Sequence, residues 1–192
     1  MKYLRFLPAV FFIILGLAGC YLLSLAFAPF MSGTDIFLAP AKNEVSQRLN
    51  QPAGDSNMLY IERLGLKLPI VEGVDSSILL KGVWHRRPEN GNPERGGNFV
   101  LSAHRFNMGL TPAGTVKQSP FYHLDKLAAN DRIAVDYNGE RYYYKVERKY
   151  TVPADATSIE GPSNEAKMTL YSCTLRGSAD GREVVEALPV AE

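Results

Sequence analysis

The sequence predicts an all-β domain, a barrel or sandwich of roughly seven or eight strands, behind a long apolar N-terminal segment. Three observations predict it. From Met58 onward, short runs rich in Val, Ile, Tyr and Thr recur, each bounded by Gly, Pro or Asn. Asn138-Gly139 sits between two of these runs, and it is the dipeptide a type I′ hairpin asks for, because both central residues need positive φ. Helical stretches are few.

Taken in order, the strand-like runs are MLYIERL from Met58, LKLPIVEG from Leu66, NFVLSAH from Asn98, DRIAVDY from Asp131, ERYYYKVERKYTV from Glu140, KMTLYSC from Lys167 and REVVEALPV from Arg182. Ser76 to Lys81 and Pro120 to Leu127 are expected to form a helical turn or two. The triple tyrosine Tyr142, Tyr143, Tyr144 reads as a strand with one packed and one wet face. Trp84 with Arg86 and Arg87 reads as a core-edge tryptophan beside solvated charges.

The leading segment differs sharply from the rest. Lys2 and Arg5 precede an uncharged stretch from Phe6 to Met31, and no acid appears before Asp35. A bilayer core takes about 20 apolar residues as helix, so 6–31 is expected to be a transmembrane signal-anchor. With the basic residues on the short side, 1–5 is expected to be cytoplasmic and the remainder to lie outside the membrane. Two processing patterns compete with the anchor. Ala26-Phe27-Ala28 has the small-x-small spacing of a signal peptidase site, and Leu17-Ala18-Gly19-Cys20 resembles a lipobox that would lipidate Cys20. Residues 32–57, with Pro40, Pro52 and Gly54, read as an extracytoplasmic stalk or a loosely packed leading helix, and 58–192 as the folded domain.

Composition narrows the function. The chain has 192 residues, 46% of them apolar and 21% charged, which suits one domain and an appendage. A formal net charge of +1 leaves no basic excess for a phosphate backbone, so nucleic acid is not an expected partner. Two cysteines neither staple a scaffold nor make a zinc site. No HExxH, P-loop or calcium-loop pattern occurs, and neither a metal nor an organic cofactor is expected.

Cys173 is the one cysteine beyond the apolar segment. A lone thiol is often only a small buried hydrophobe. As a nucleophile it needs a neighbouring base or cation, since a thiol near pKa ~8.5 is mostly protonated at neutral pH. Three histidines are available: His104 at the end of NFVLSA, His85 in WHRRPE and His123 in FYHLDKL. Acyl transfer also needs a donor for the oxyanion, and Arg176 and Arg182 are near in sequence. Arg182 opens a strand that could lie beside that of Cys173.

Together these residues resemble a known family. TLYSC, ending at Cys173, with Arg182 nine positions on and followed by Glu183-Val184-Val185, resembles the TLxTC…RxVV signature of the sortases. LLKGVWH, then Pro93, Gly96, Gly97 and Asn98, then FVLSAHR resembles the stretch that ends in their catalytic histidine. SPFYHLDKLAANDRIAV is similar to their FxxLxxLxxGDxI segment, and the resemblance runs from Met58 to Val190. Ser172 stands where the family has Thr, Asn130 where it has Gly, and Leu175 where many members have Pro.

The resemblance implies a closed β-barrel with one or two short helices. It implies Cys173 as nucleophile, His104 as general acid and base, and Arg182 as oxyanion or substrate stabiliser, with Ser172 and Arg105 as substrate contacts. His85 matches a non-catalytic position. The implied reaction cleaves a Leu-Pro-x-Thr-Gly-like sorting signal after Thr through a thioester. The acyl group then passes to an amine of a peptidoglycan precursor or a pilin lysine at the outer membrane surface. The absence of an Asp-Pro-aromatic lid and of a second apolar span points to an anchoring or accessory member. Two rivals remain: an inactive membrane-tethered barrel that binds surface proteins, and an L,D-transpeptidase, whose nucleophile typically follows Ser-His-Gly, where this chain has Tyr171-Ser172 before Cys173.

Overall fold

Strand β1 (Met58–Ile61) pairs antiparallel with β2 (Leu66–Val71) and with β6 (Arg132–Tyr137). β6 continues through the Asn138-Gly139 turn into β7 (Glu140–Val152), and both turn residues have the positive φ expected, 51° and 85°. β7 pairs with β9 (Gly177–Val190), β9 with β8 (Lys167–Thr174), and β8 lies parallel to β5 (Gly96–Ser102). β5 pairs with β3 (Val83–Arg86), which runs parallel to β2 and closes the ring. The result is a closed barrel of eight strands, with β4 (Gly91–Asn92) added to the start of β5. Closure removes the sheet edges on which charge would otherwise simply be solvated. A computed structural model describes residues 7–190. Lys2 and Arg5, on which the expected orientation rests, lie outside the described residues, as does Glu192.

Alternation along the strands fills the barrel. Leu59, Ile61, Phe99, Leu101, Met168 and Leu170 point inward with Ile133, Val135, Val185 and Ala187 and are fully buried. The two expected helical turns are 3-10 turns, Ser76–Leu80 and Leu124–Lys126. Besides β4 and three short turns, two elements were not expected. β3 is only four residues long, and α3 (Pro112–Gln118) is signalled by Thr111-Pro112, a capping hydroxyl before a proline at the first helical position.

Helix α1 (Leu7–Ser32) is long and apolar enough to cross a membrane. The following stretch is helical and packed, not a loose stalk. α2 (Asp35–Leu49) runs through Pro40 and seats Val45, 1% exposed, against Tyr60 and Ala134 on the outside of the barrel. Burying that valine offsets the helix hydrogen bond Pro40 forgoes. Tyr143 therefore does not face water: it packs under α2 while Tyr144 enters the core.

Candidate active site

Three neighbouring strands build the site by alternation and register. On β5, Phe99 and Leu101 face the core, so Val100 and Ser102 face outward, and the same alternation carries His104 outward just past the strand. On β8, Met168 and Leu170 are inward, leaving Thr169, Tyr171 and Cys173 outward. On β9, Val185 is inward, and Val184 and Arg182 are outward. Ser102 is paired with Tyr171, and Tyr171 with Val184. One step further, Cys173 is paired with Arg182, a geometry in which opposed Cα atoms sit about 5 Å apart. The Ala103 N–H donates to the Tyr171 carbonyl, which extends the β5–β8 ladder toward His104. His104, Cys173 and Arg182 thus form one row across three strands, all half-buried.

The backbone beyond the row is irregular in a way that serves it. Between Cys173 and Thr174 the β8–β9 register slips, and the bulge is braced by Thr174 Oγ1 donating to Asp180 Oδ2 at 2.6 Å. The bulge turns the carbonyls of Ser178 and Gly181 onto the Arg182 guanidinium, 2.7 and 3.0 Å from Nη1. Gly181 is required there, since a Cβ would lie 2.7 Å from the Val152 carbonyl. Burial alone lowers the His104 pKa below its ordinary value of 6.5, so the imidazole is neutral at neutral pH.

Beside the row, on the same outer face of the barrel, packs the turn Thr157–Glu160. Ile159 packs on Val100, Tyr171 and Val184. Glu160 accepts from Arg86 at 3.0 and 3.3 Å, from Arg87 at 3.1 Å and from the Tyr171 hydroxyl. Asn90 and Asn98 donate to the carbonyls of Glu160, Ile159 and Gly161. Arg86 and Arg87 are therefore both paired, Arg86 half-buried and Arg87 still solvated, and Arg86 also stacks 4.1 Å from the Trp84 ring centroid. Glu160 and Asn98 escaped sequence reasoning because their partners Arg86, Ile159 and Thr169 lie some 60 to 75 positions away. Alternation out from Cys173 would have placed Tyr171 on the same outer face as the thiol.

The remaining candidates lie elsewhere. Ser172 faces inward and is 2% exposed, its hydroxyl on the Cys173 carbonyl at 3.1 Å. Arg105 is 3% exposed and donates to Asp125 at 2.6 Å, bracing the strand end against the Leu124–Lys126 turn, while its Nε and Nη1 are buried without a partner. His85 is buried between Glu72 and the Gly91 carbonyl. His123 donates Nε2–H to the Pro29 carbonyl at 2.8 Å, tying the barrel to α1. Among the described residues no three His, Cys, Asp or Glu side chains are grouped to hold a metal ion.

A thiol, a neutral imidazole and a guanidinium in one half-buried row are the equipment of acyl transfer. Comparison with known proteins agrees with that equipment. The family model for the sortase domain matches residues 59–190. Sortase D of Bacillus subtilis is 28% identical over 158 residues, covering 80% of this chain and 73% of that one. A sortase D5 transpeptidase of Clostridium perfringens superposes with a TM-score of 0.59 at 22% identity, over 78% of this chain and 88% of that one. Sortase A of Corynebacterium diphtheriae gives 0.60 at 16% identity, over 92% and 96%.

Proposed function

The chain belongs to the sortase family of cysteine transpeptidases, and from that premise we propose that Cys173, His104 and Arg182 carry its reaction on a Leu-Pro-x-Thr-Gly-like sorting signal. The observation that carries this reading is the Cys173–Arg182 pair across β8 and β9, with His104 on the same outer face two residues past the end of β5. Neutral His104 takes the Cys173 thiol proton as sulfur attacks the carbonyl of the signal's threonine. Arg182, its Nη1 already oriented by two carbonyls, turns its remaining N–H groups to the tetrahedral oxyanion. His104 then gives the proton to the leaving glycine amine, and the acyl group stays on sulfur as a thioester. An incoming amine, from a peptidoglycan precursor or a pilin lysine, loses a proton to His104 as it displaces the thiol. Nothing in these steps calls on a cofactor.

The reading extends to place. α1 anchors the protein with its N-terminus cytoplasmic, and residues 58–192 form the catalytic domain at the outer surface, where both substrates are presented. The test incubates the full-length chain in detergent with a quenched Leu-Pro-x-Thr-Gly peptide library and an amine acceptor. Mass spectrometry should find a peptide thioester on Cys173 and cleavage before glycine, both absent in Cys173→Ala. A folded protein whose Cys173 takes neither peptide nor a small alkylating probe would overturn the reading in favour of a binding module.

A further inference from the structure

Helix α1 does not simply lead away from the barrel. Its last turns are held by it: Leu25 is buried, Pro29 accepts from His123, and the Tyr21 hydroxyl donates to the Leu110 carbonyl. That last contact sets a depth. At 1.5 Å per residue, Leu7–Ser32 is about 39 Å long against a hydrocarbon core of about 30 Å. Even if all the excess lay on the barrel side, Tyr21 would sit about 7 Å inside the core. The Leu110 carbonyl lies within reach of the Tyr21 side chain from that depth.

The loop that carries Leu110 is built for such a place. Between Phe106 and Pro120 the one charged residue is Lys117. Phe106, Met108 and Leu110 point outward at alternate positions, Leu110 being 89% exposed. Part of the polar backbone between them is satisfied internally. Asn107 N–H donates to Ser119 Oγ at 2.9 Å, and Ser119 Oγ donates to the Asn107 carbonyl at 3.2 Å. Gly109 N–H donates to Thr115 Oγ1 at 3.0 Å, and the Leu110 carbonyl receives Tyr21. Each backbone group paired within lowers the cost of placing this loop among acyl chains, where an unmet polar group costs several kcal/mol. Beside it, an apolar groove of about 700 Å³ runs between α1, α2 and α3, lined by Phe27, Met31, Phe37, Leu66 and Val116, with room for a hydrocarbon chain.

We propose that the Phe106 to Leu110 loop is embedded in the bilayer leaflet on the barrel side, with lipid acyl chains filling the groove at the foot of α1. The inference rests on the anchoring role proposed for α1. It also orients the catalytic row. β5 and β8 are parallel, so the loops after His104 and Cys173 leave the same end of the barrel, and Leu175, also exposed, stands at the second of them. The reactive end therefore rests on the membrane instead of standing off it.

The test uses single tryptophan additions to the full-length chain in nanodiscs of phosphatidylcholine and phosphatidylglycerol, with acyl chains either plain or brominated. Trp84, buried in the barrel wall, supplies a constant background. Ile13→Trp reports whether α1 is in the bilayer, Leu110→Trp reports the loop, and Glu94→Trp reports the far end, where Glu94 meets the Asn138 turn. All three positions are exposed, so each tolerates the larger ring. Bromination should cut the added emission at both Ile13→Trp and Leu110→Trp about twofold or more and leave Glu94→Trp unchanged. Quenching at Ile13→Trp without quenching at Leu110→Trp would overturn the inference while sparing the anchor. Quenching at neither would overturn both.

Discussion

Asp136 and Cys173 belong to the same barrel and are surrounded in opposite ways. Asp136, fully buried, accepts from Arg141 at 2.6 and 3.0 Å, from Arg48 at 3.1 Å, from the Gly54 N–H at 3.1 Å and from the Tyr60 hydroxyl at 3.2 Å. Burial pushes its pKa up, yet those donors outweigh burial and hold the carboxyl below its usual range. Glu186 follows the same pattern with Arg148, Lys167 and Tyr150. At the reactive end, among the described residues, neither the Cys173 thiol nor the His104 imidazole has a hydrogen-bond partner, and His104 is shifted by burial alone. The saturated groups fix α2 and the long strands in place. The unsaturated ones leave their polar atoms without internal partners, which is what the proposed reaction asks of them.

That contrast breaks most visibly at Cys173. Cys173→Ala should reduce peptide transfer to background while leaving the melting temperature unchanged, read by product formation and calorimetry on the same preparation. Arg182→Ala should lower kcat/KM by about 10²–10³, the usual cost of removing one oxyanion donor, and Arg182→Lys should recover only part of it. Asp136→Asn should do the reverse: it leaves Arg141 and Arg48 unbalanced, costs about 3–5 kcal/mol in urea unfolding, and leaves transfer per folded molecule intact.

The pH dependence sharpens the same distinction. The carboxyls of Asp136, Glu160 and Glu186 are held low in the folded state: burial raises them, but their donors outweigh it. Their contribution is therefore present above the unfolded values near 4 and is lost as pH falls through the folded ones, so the melting temperature should drop below about pH 4. His104 has the same sign in a higher pH window. Its folded pKa is depressed, so below about 6.5 the unfolded chain takes up the proton first, adding a smaller loss that His104→Gln removes. Smallest is Thr111→Ala. It deletes the cap on Gly114 N–H at 3.0 Å and should cost about 1 kcal/mol in thermal unfolding.

Much of the barrel is legible locally. ERYYYKVERKYTV is β7 from its first residue to its last, and the Asn-Gly turn and the left-handed Asn130, at φ 71°, follow from side-chain chemistry. β3 was not legible because four residues are too few to show a period, and its partners β2 and β5 are what make it a strand. Residues 32–57 read as a stalk or a loosely packed leading helix because Pro40, Pro52 and Gly54 interrupt the pattern, and only the barrel surface under Val45 makes α2 packed structure. At the site, residue types and motif order pointed to Cys173, His104 and Arg182. They did not show that Ser172 and Arg105 would be buried, since that follows from which face each strand turns inward.

By itself the sequence determined which segments extend, where they turn and which side chains can do acyl chemistry, because those properties live in a window of a few residues. The tertiary structure alone decided that the chain segments ending in His104 and Cys173, 69 positions apart, follow parallel neighbouring strands, that Glu160 is tied to Arg86 and Tyr171 beside them, and that a loop of Phe106, Met108 and Leu110 is brought beside α1. The physical reason is that register, the choice of inner face and contact between distant segments are settled by burying one shared core, a constraint that no short stretch of chain carries alone.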